Sequence, residues 1–98
     1  MHMKKHPKMV SFDAEFEREM KDPKFRTMYE EERYRLEVAL AIVALRKKGK
    51  LSQIALAKRI GSSQSAVARM EAGNANVTVD TLGRIAIALG VKMKVTFA

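Results

Sequence analysis

Lysine and arginine are the residues whose number and spacing most clearly suggest a chemistry in this chain. The 98 residues include 19 of them against 11 aspartates and glutamates, a net charge of +8. Residues 1–35 hold nine basic and eight acidic side chains, whereas residues 36–98 hold ten and three, a net charge of +7. Because neutralising phosphates releases counterions, such an excess favours a polyanionic partner. We therefore expect the second half to contact a polyanion, which charge alone does not identify.

Patterns for catalysis and metal binding are weak by comparison. The absence of cysteine excludes disulfides, thiolate ligands and thiol nucleophiles. His2 and His6 have no further ligands at helical or hairpin spacing, and the consecutive side chains of Glu30, Glu31 and Glu32 face different directions on a helix. No phosphate-cradling glycine loop and no nucleophile turn is present. We expect neither an enzyme nor a cofactor.

The length of 98 residues suits one globular domain with an appendage. No run approaches the roughly 18 consecutive apolar residues that a membrane span requires. The first seven residues lack the apolar stretch of an export signal. With no cysteine to suggest an oxidising compartment, these features predict a soluble cytoplasmic protein without a membrane partner.

The amino-acid composition changes near Leu36 from charged and aromatic to aliphatic. This change divides the chain into an extension, 1–35, and a domain, 36–98. In the extension Phe12, Phe16 and Met20 recur at helical spacing, with Ser11 or Asp13 able to cap. Asp22-Pro23 is a second helix start, which places Phe25, Met28, Tyr29 and Leu36 on one face. The extension is therefore predicted to be helical or partly disordered, and its second helix to run on into the domain.

The domain begins with a helix whose apolar face is Leu36, Leu40 and Val43 and which stops after Lys48 at Gly49. Ser52 and Gly61 then bracket a short helix, and Ser62 to Gly73 repeats that pattern after almost no loop. Two short helices joined by a tight turn with glycine form a helix-turn-helix. A fourth helix follows the cap Thr78, presents one apolar face and stops at Gly90; that face carries Leu82, Ile85, Ala86 and Leu89.

The last residues alternate between apolar and polar side chains, which is typical of a half-buried strand. The apolar series, predicted to form a dimer interface, is Val91, Met93, Val95 and Phe97. Since no other segment reads as its partner, we expect the strand to pair with a second copy about a two-fold axis. The alternative is that it docks on its own chain. The predicted fold is thus all-α, a helix-turn-helix bundle of about four helices with a helical N-terminal extension and a short C-terminal β-strand.

The stretch from Leu51 to Gly90 resembles the Xre family of helix-turn-helix proteins, the Cro and phage-repressor type. The resemblance rests on Leu51-Ser52-Gln53, Ile60-Gly61, Ser63-Gln64-Ser65, Met70-Glu71-x-Gly73 and Ile85-Ala86-x-Ala88-Leu89-Gly90. It implies a repressor that binds a palindromic operator in double-stranded DNA, with the second helix of the pair in the major groove. Ala57 would allow the two helices to pack closely, while Val67 and Met70 would point into the core.

Carried over position by position, the resemblance implies that Gln64 and Ser65 face the DNA bases, with Arg69 near the same face. Glutamine can pair with adenine and arginine with guanine, although Arg69 could instead contact phosphate or pair with Glu71. Gln53 matches the phosphate-contacting glutamine of the family. Additional backbone contacts are expected from Ser63, Asn74 and Asn76.

The extension and the terminal strand go beyond a plain repressor domain. Together they are similar to the HigA-type antitoxins of type II toxin-antitoxin modules. The similarity implies a homodimer that represses its own operon and neutralises a small basic mRNA endonuclease. The residues expected to bind that toxin are Phe12, Phe16, Phe25, Met28 and Tyr29. The alternatives are a stand-alone repressor and an interaction module without DNA binding.

Overall fold

The fold consists of five helices in a computed structural model that describes the backbone of residues 7–98 and the side chains from residue 13 onward. The helices are α1 (Pro7–Glu19), α2 (Pro23–Lys48), α3 (Gln53–Ile60), α4 (Gln64–Glu71) and α5 (Val79–Ala88). The chain divides into a first compact unit that ends at Glu32 and a second unit, Arg33–Ala98. The described part is all-helical, as predicted, and compatible with a helix-turn-helix bundle. None of its helices is long and apolar enough to span a membrane.

The first unit contains α1 and the start of α2. Helix α1 begins at Pro7, so Ser11 and Asp13 lie inside it, and the prediction that one of them caps the helix was wrong. The start of α2 is confirmed: Pro23 is its first residue, and the Asp22 carboxylate accepts a hydrogen bond from the Lys24 amide at 3.0 Å.

The face that α2 buries differs from the predicted one. Ala39 and Ile42 are buried, whereas Leu36 and Leu40 are 50% and 59% exposed. Apolar residues occur on several faces of this segment, so their spacing alone does not decide which of them meets the core.

The end of α2 also differs in detail. The residue in the left-handed conformation is Lys50, with φ of 59°, and not Gly49. A Cβ added to Gly49 would lie 3.3 Å from Leu89 Cδ2, so this glycine leaves room for α5 packing rather than making the turn.

The core of the second unit lies where α2, α3, α4 and α5 meet. Its buried residues are Ile42, Leu56, Ala57, Ile60, Val67, Met70 and Ile85. Val67 and Met70 point into this core as the sequence predicts, and Leu56 is fully buried. The predicted apolar face of α5 is also confirmed, since Ile85 and Ala86 are buried and Leu82 and Leu89 pack against the cluster.

The predicted C-terminal strand is absent from the described chain. Residues 91–98 follow α5 without regular secondary structure and are exposed throughout. A strand requires a neighbouring strand for its amides and carbonyls. Because the described part of one chain offers none, the alternating pattern alone was not sufficient to form it.

Candidate DNA-binding surface

The turn between α3 and α4 sets the relative position of the two helices. Gly61 ends α3 with φ of 68°, a conformation that glycine adopts at no steric cost. The Ser62 amide donates to the Ala57 carbonyl at 2.8 Å, which closes the end of α3. Ser63 then caps α4, since its hydroxyl accepts a hydrogen bond from the Ala66 amide at 3.1 Å. The chain therefore passes from one helix to the next in three residues.

The N-terminal ends of the two helices are connected through their first side chains. Gln53 begins α3 and Gln64 begins α4. The Gln64 side-chain amide donates to the Gln53 Oε1 atom at 2.7 Å. Ser52 caps α3 as predicted, accepting from the Ala55 amide at 3.0 Å. The hydrogen bond between Gln64 and Gln53 restricts the rotamers of both side chains before any ligand binds.

A nearly buried ion pair is connected to these glutamines by a hydrogen bond from Gln53. Arg46 on α2 forms a bidentate contact with Glu71 on α4, Nε to Oε2 at 2.6 Å and Nη2 to Oε1 at 2.9 Å. The two side chains are only 12% and 6% exposed. Arg46 also donates from Nη1 to the Leu51 carbonyl at 2.8 Å, and Gln53 donates to Glu71 Oε1 at 3.0 Å. A continuous chain of hydrogen bonds therefore joins Arg46, Glu71, Gln53 and Gln64.

The charges of this pair stabilise each other. Burial raises the pKa of Glu71. Hydrogen bonds from Arg46 and Gln53, together with the charges of Arg46 and Lys47, lower it by more than burial raises it, so the pKa of Glu71 lies below its ordinary value. The hydrogen bond to Glu71 raises the pKa of Arg46, against the effect of burial. Both groups are therefore charged near neutral pH.

Ser65 and Arg69 lie one helical turn apart on the exposed side of α4. The Ser65 hydroxyl is 3.3 Å from that of Ser63. The suggested pairing of Arg69 with Glu71 does not occur, because Arg46 and Gln53 occupy that carboxylate. No acidic side chain in the described part of the chain forms an ion pair with Arg69. Its guanidinium is therefore available to an external ligand.

The remaining residues of the expected surface lie in the loop after α4. Asn74 and Asn76 are both exposed. The Asn74 amide donates to the Arg69 carbonyl at 3.0 Å, which ties the start of the loop to α4. Thr78 then caps α5, accepting from the Thr81 amide at 3.1 Å, as the sequence predicts.

Sequence reasoning missed the roles of Arg46 and Glu71. Arg46 lies in the run of basic residues at the end of α2, yet its side chain is almost enclosed. The two residues are 25 positions apart and follow no local spacing rule. The available signal was the scarcity of acids, since only three occur in residues 36–98.

No candidate cluster for a metal ion is found among the residues with described side chains. His2 and His6, the histidines considered in the sequence, lie outside the described residues. The side chain of Phe12, one of the expected toxin contacts, is also outside them.

A family model described as helix-turn-helix, HTH_3, matches residues 42–95, more than half of the chain. The protein therefore belongs to this Xre-type helix-turn-helix family, whose members are DNA-binding regulators and typically not enzymes. The matched span includes α3, α4 and α5, together with the ion pair and the glutamines. No curated protein and no solved structure matches the chain.

Proposed function

We propose that the protein is a sequence-specific transcription repressor that inserts α4 into the major groove of a palindromic operator. The observation that carries this proposal is the hydrogen-bond chain from Arg46 to Gln64, which holds two amide side chains at the start of α3 and α4. A pre-ordered side chain loses less conformational entropy when it pairs with a base edge. Amides and guanidinium groups are also the groups that pair with adenine and guanine.

The roles divide between base and backbone. Gln64, Ser65 and Arg69 read base edges from the exposed side of α4. Gln53 stands at the N-terminus of α3, where its amide and the helix dipole both suit a phosphate. The other backbone contacts come from Ser63, Asn74 and Asn76. The charge of +7 on residues 36–98 supplies the attraction that does not depend on sequence.

The test begins with selection of preferred duplexes from random DNA by the full chain. Arg69→Ala should then weaken binding to the selected duplex by about 1–3 kcal/mol and weaken binding to random DNA less. Lys48→Ala removes one exposed charge at the end of α2 and is the matched control. It should weaken both duplexes by the same small amount. Equal losses for Arg69→Ala on both duplexes would reduce Arg69 to a phosphate contact.

We further propose that the protein acts as an antitoxin through its first unit. Phe16 packs edge to face with Phe25, with ring centroids 6.2 Å apart, and with Tyr29 at 5.2 Å. Within this aromatic cluster Tyr29 is 38% exposed, and Met28, the preceding residue of α2, is 63% exposed. Residues 13–32 carry eight acidic and four basic side chains, a net charge of −4. An apolar surface on such an acidic segment suits a small basic protein, and the proposed partner is a ribosome-dependent mRNA endonuclease.

The antitoxin role requires a neighbouring gene that encodes a small basic protein, and co-expression with that protein tests the role. The full chain should restore growth that this protein arrests, and Met28→Glu should restore it poorly. Thr27→Glu, which adds the same single negative charge at an exposed position of the same helix, is the control and should retain rescue. Deletion of residues 1–30 should abolish rescue while DNA binding persists. If all variants rescue equally, or if the neighbour is harmless, the stand-alone repressor is the correct function.

A further inference from the structure

The segment after α5, residues 91–98, is called the tail here. The Val91 amide donates to the Ala86 carbonyl at 3.0 Å, which closes the end of α5. From Lys92 onward no backbone hydrogen bond joins the tail to the rest of the described chain. Its apolar side chains become more exposed along the sequence, from 40% and 41% at Val91 and Met93 to 66% at Val95 and 92% at Phe97. The tail therefore departs from its own domain as it proceeds.

An apolar groove of about 480 Å³ lies beside the first half of the tail. One wall is α2 and the other is α5, and the tail residues 91–96 form part of the border. The helical lining is mostly aliphatic and includes Val38, Ala41, Ile42, Leu45, Leu82 and Ala86. The groove thus has room for apolar side chains.

We infer that the tail of a second copy covers this groove, with the two tails paired as antiparallel strands about a two-fold axis. This inference specifies how the proposed repressor dimerises and depends on that function only for the symmetry of the operator. The second copy is the fitting occupant because the tail is itself an unpaired edge with one apolar side. Pairing two such edges satisfies the amides and carbonyls of both.

The charges and the length of the tail favour one register. Pairing centred on Thr96 would join only residues 94–98, whereas pairing centred on Val95 joins residues 92–98. Pairing centred on Lys94 would place it against its own copy, and pairing centred on Met93 would place Lys92 against Lys94. Like charges directly opposite each other destabilise a strand pair. Pairing centred on Val95 avoids both clashes, since Lys94 then faces Thr96 of the second copy. In that register Phe97 of one copy faces Met93 of the other, at the border of the groove.

A second exposed apolar face offers a competing mode of self-association. On the outer side of α5 Val79 is 67% exposed and Ile87 is 80% exposed, with Gly83 between them. A Cβ added to Gly83 would meet nothing within 4 Å. The backbone of α5 is already hydrogen-bonded within the helix, whereas the backbone of the tail is not. The tail is therefore the better candidate for self-association. The two modes predict different residues at the two-fold axis.

Disulfide trapping distinguishes these modes because the chain has no cysteine of its own. In the proposed register Val95→Cys faces its own copy, with a Cα separation of about 4.5–5.5 Å that suits a disulfide. Lys94→Cys would be diagonal to its copy at about 7–8 Å, which is too far. Under mild oxidation without DNA, Val95→Cys should form a covalent dimer, while Lys94→Cys and Ile87→Cys stay monomeric on a denaturing gel. No Val95→Cys dimer, faster trapping of Lys94→Cys, or trapping of Ile87→Cys would each overturn the inference.

Sedimentation equilibrium provides a test that needs no oxidation. Phe97→Ala should raise the dissociation constant of the dimer by about tenfold or more, because Phe97 is then lost from the partner's groove. Thr96→Ala changes the neighbouring side chain on the other face and should leave the constant unchanged. An unchanged constant in Phe97→Ala would remove Phe97 from the interface. Neither disulfide trapping nor sedimentation includes DNA, so a negative result in either one leaves the proposed base readout by α4 untouched. A negative result for Arg69→Ala likewise leaves the proposed tail pairing untouched.

Discussion

The α3–α4 pair and the tail differ in whether their polar groups find hydrogen-bond partners within the described chain. At the helix pair both glutamines and the buried carboxylate find partners within one chain. In the tail the backbone from Lys92 onward finds none in the described chain, and Phe97 is almost fully exposed. The first region is therefore organised before it meets a ligand, whereas the second needs another molecule. A change in the helix pair should therefore alter folding, while a change in the tail should alter association only.

The largest effect is expected from Glu71→Gln. It removes the charge that compensates Arg46, whose side chain is only 12% exposed, and breaking such a buried pair costs about 3–5 kcal/mol. The free energy of unfolding from denaturant titration measures this loss.

Glu37→Gln is the matched control, because Glu37 pairs with Arg33 at 3.4 Å on the surface, with side chains 60% and 49% exposed. A surface pair of this kind contributes at most about 1 kcal/mol. Similar losses in the two variants would mean that the Arg46–Glu71 pair does not support the fold.

A second, smaller effect is the dependence of the free energy of unfolding on pH through Glu71. The folded-state pKa of Glu71 is below its ordinary value of 4.5, so its charged form stabilises the fold above that value. This contribution should disappear as the pH falls through the depressed pKa. We expect the free energy of unfolding of the native chain to fall more steeply between about pH 5 and the acid limit than that of Glu71→Gln. Other carboxylates titrate in both proteins and cancel in the difference, so parallel curves would contradict the assignment.

The smallest effect on folding is expected in the tail. Lys94→Pro and Val95→Pro each remove one amide, and consecutive amides of a strand point to opposite edges. At least one variant must therefore lose a hydrogen bond of the proposed strand pair and sediment as a monomer. Because residues 92–98 make no backbone hydrogen bond within the described chain, both variants should unfold within about 0.5 kcal/mol of the native protein at low concentration. Clear destabilisation of the monomer would show that the tail belongs to its own domain.

The local signals in the sequence predicted the helix-turn-helix well. Ser52 and Thr78 cap their helices and Gly61 ends α3, because caps and left-handed residues act within a few positions. Val67 and Met70 occupy the core, since the short helix α4 has a single apolar face. These elements needed no knowledge of the tertiary structure.

Other features depended on distant parts of the chain. Leu36 and Leu40 were assigned to the core but are exposed, because α2 has apolar residues on more than one face. Arg46 and Glu71 meet across 25 positions, which no spacing rule anticipates. The tail has the alternation of a strand, yet alternation describes side chains and does not provide a backbone partner. The roles of Gln64, Ser65 and Arg69 in reading bases stay a prediction.

Site-directed DNA cleavage tests the placement of α4 most directly. Ser62→Cys puts a unique thiol in the exposed turn before α4, where an iron–EDTA reagent can be attached, and Ile87→Cys on α5 carries the same reagent as a control. On the selected operator the Ser62 derivative should cut at two positions about 34–36 Å apart, one DNA turn, within the symmetric half-sites. The Ile87 derivative should cut weakly or not at all. Strong cutting from Ile87 with none from Ser62 would show that another face of the domain binds DNA and would contradict the proposed readout.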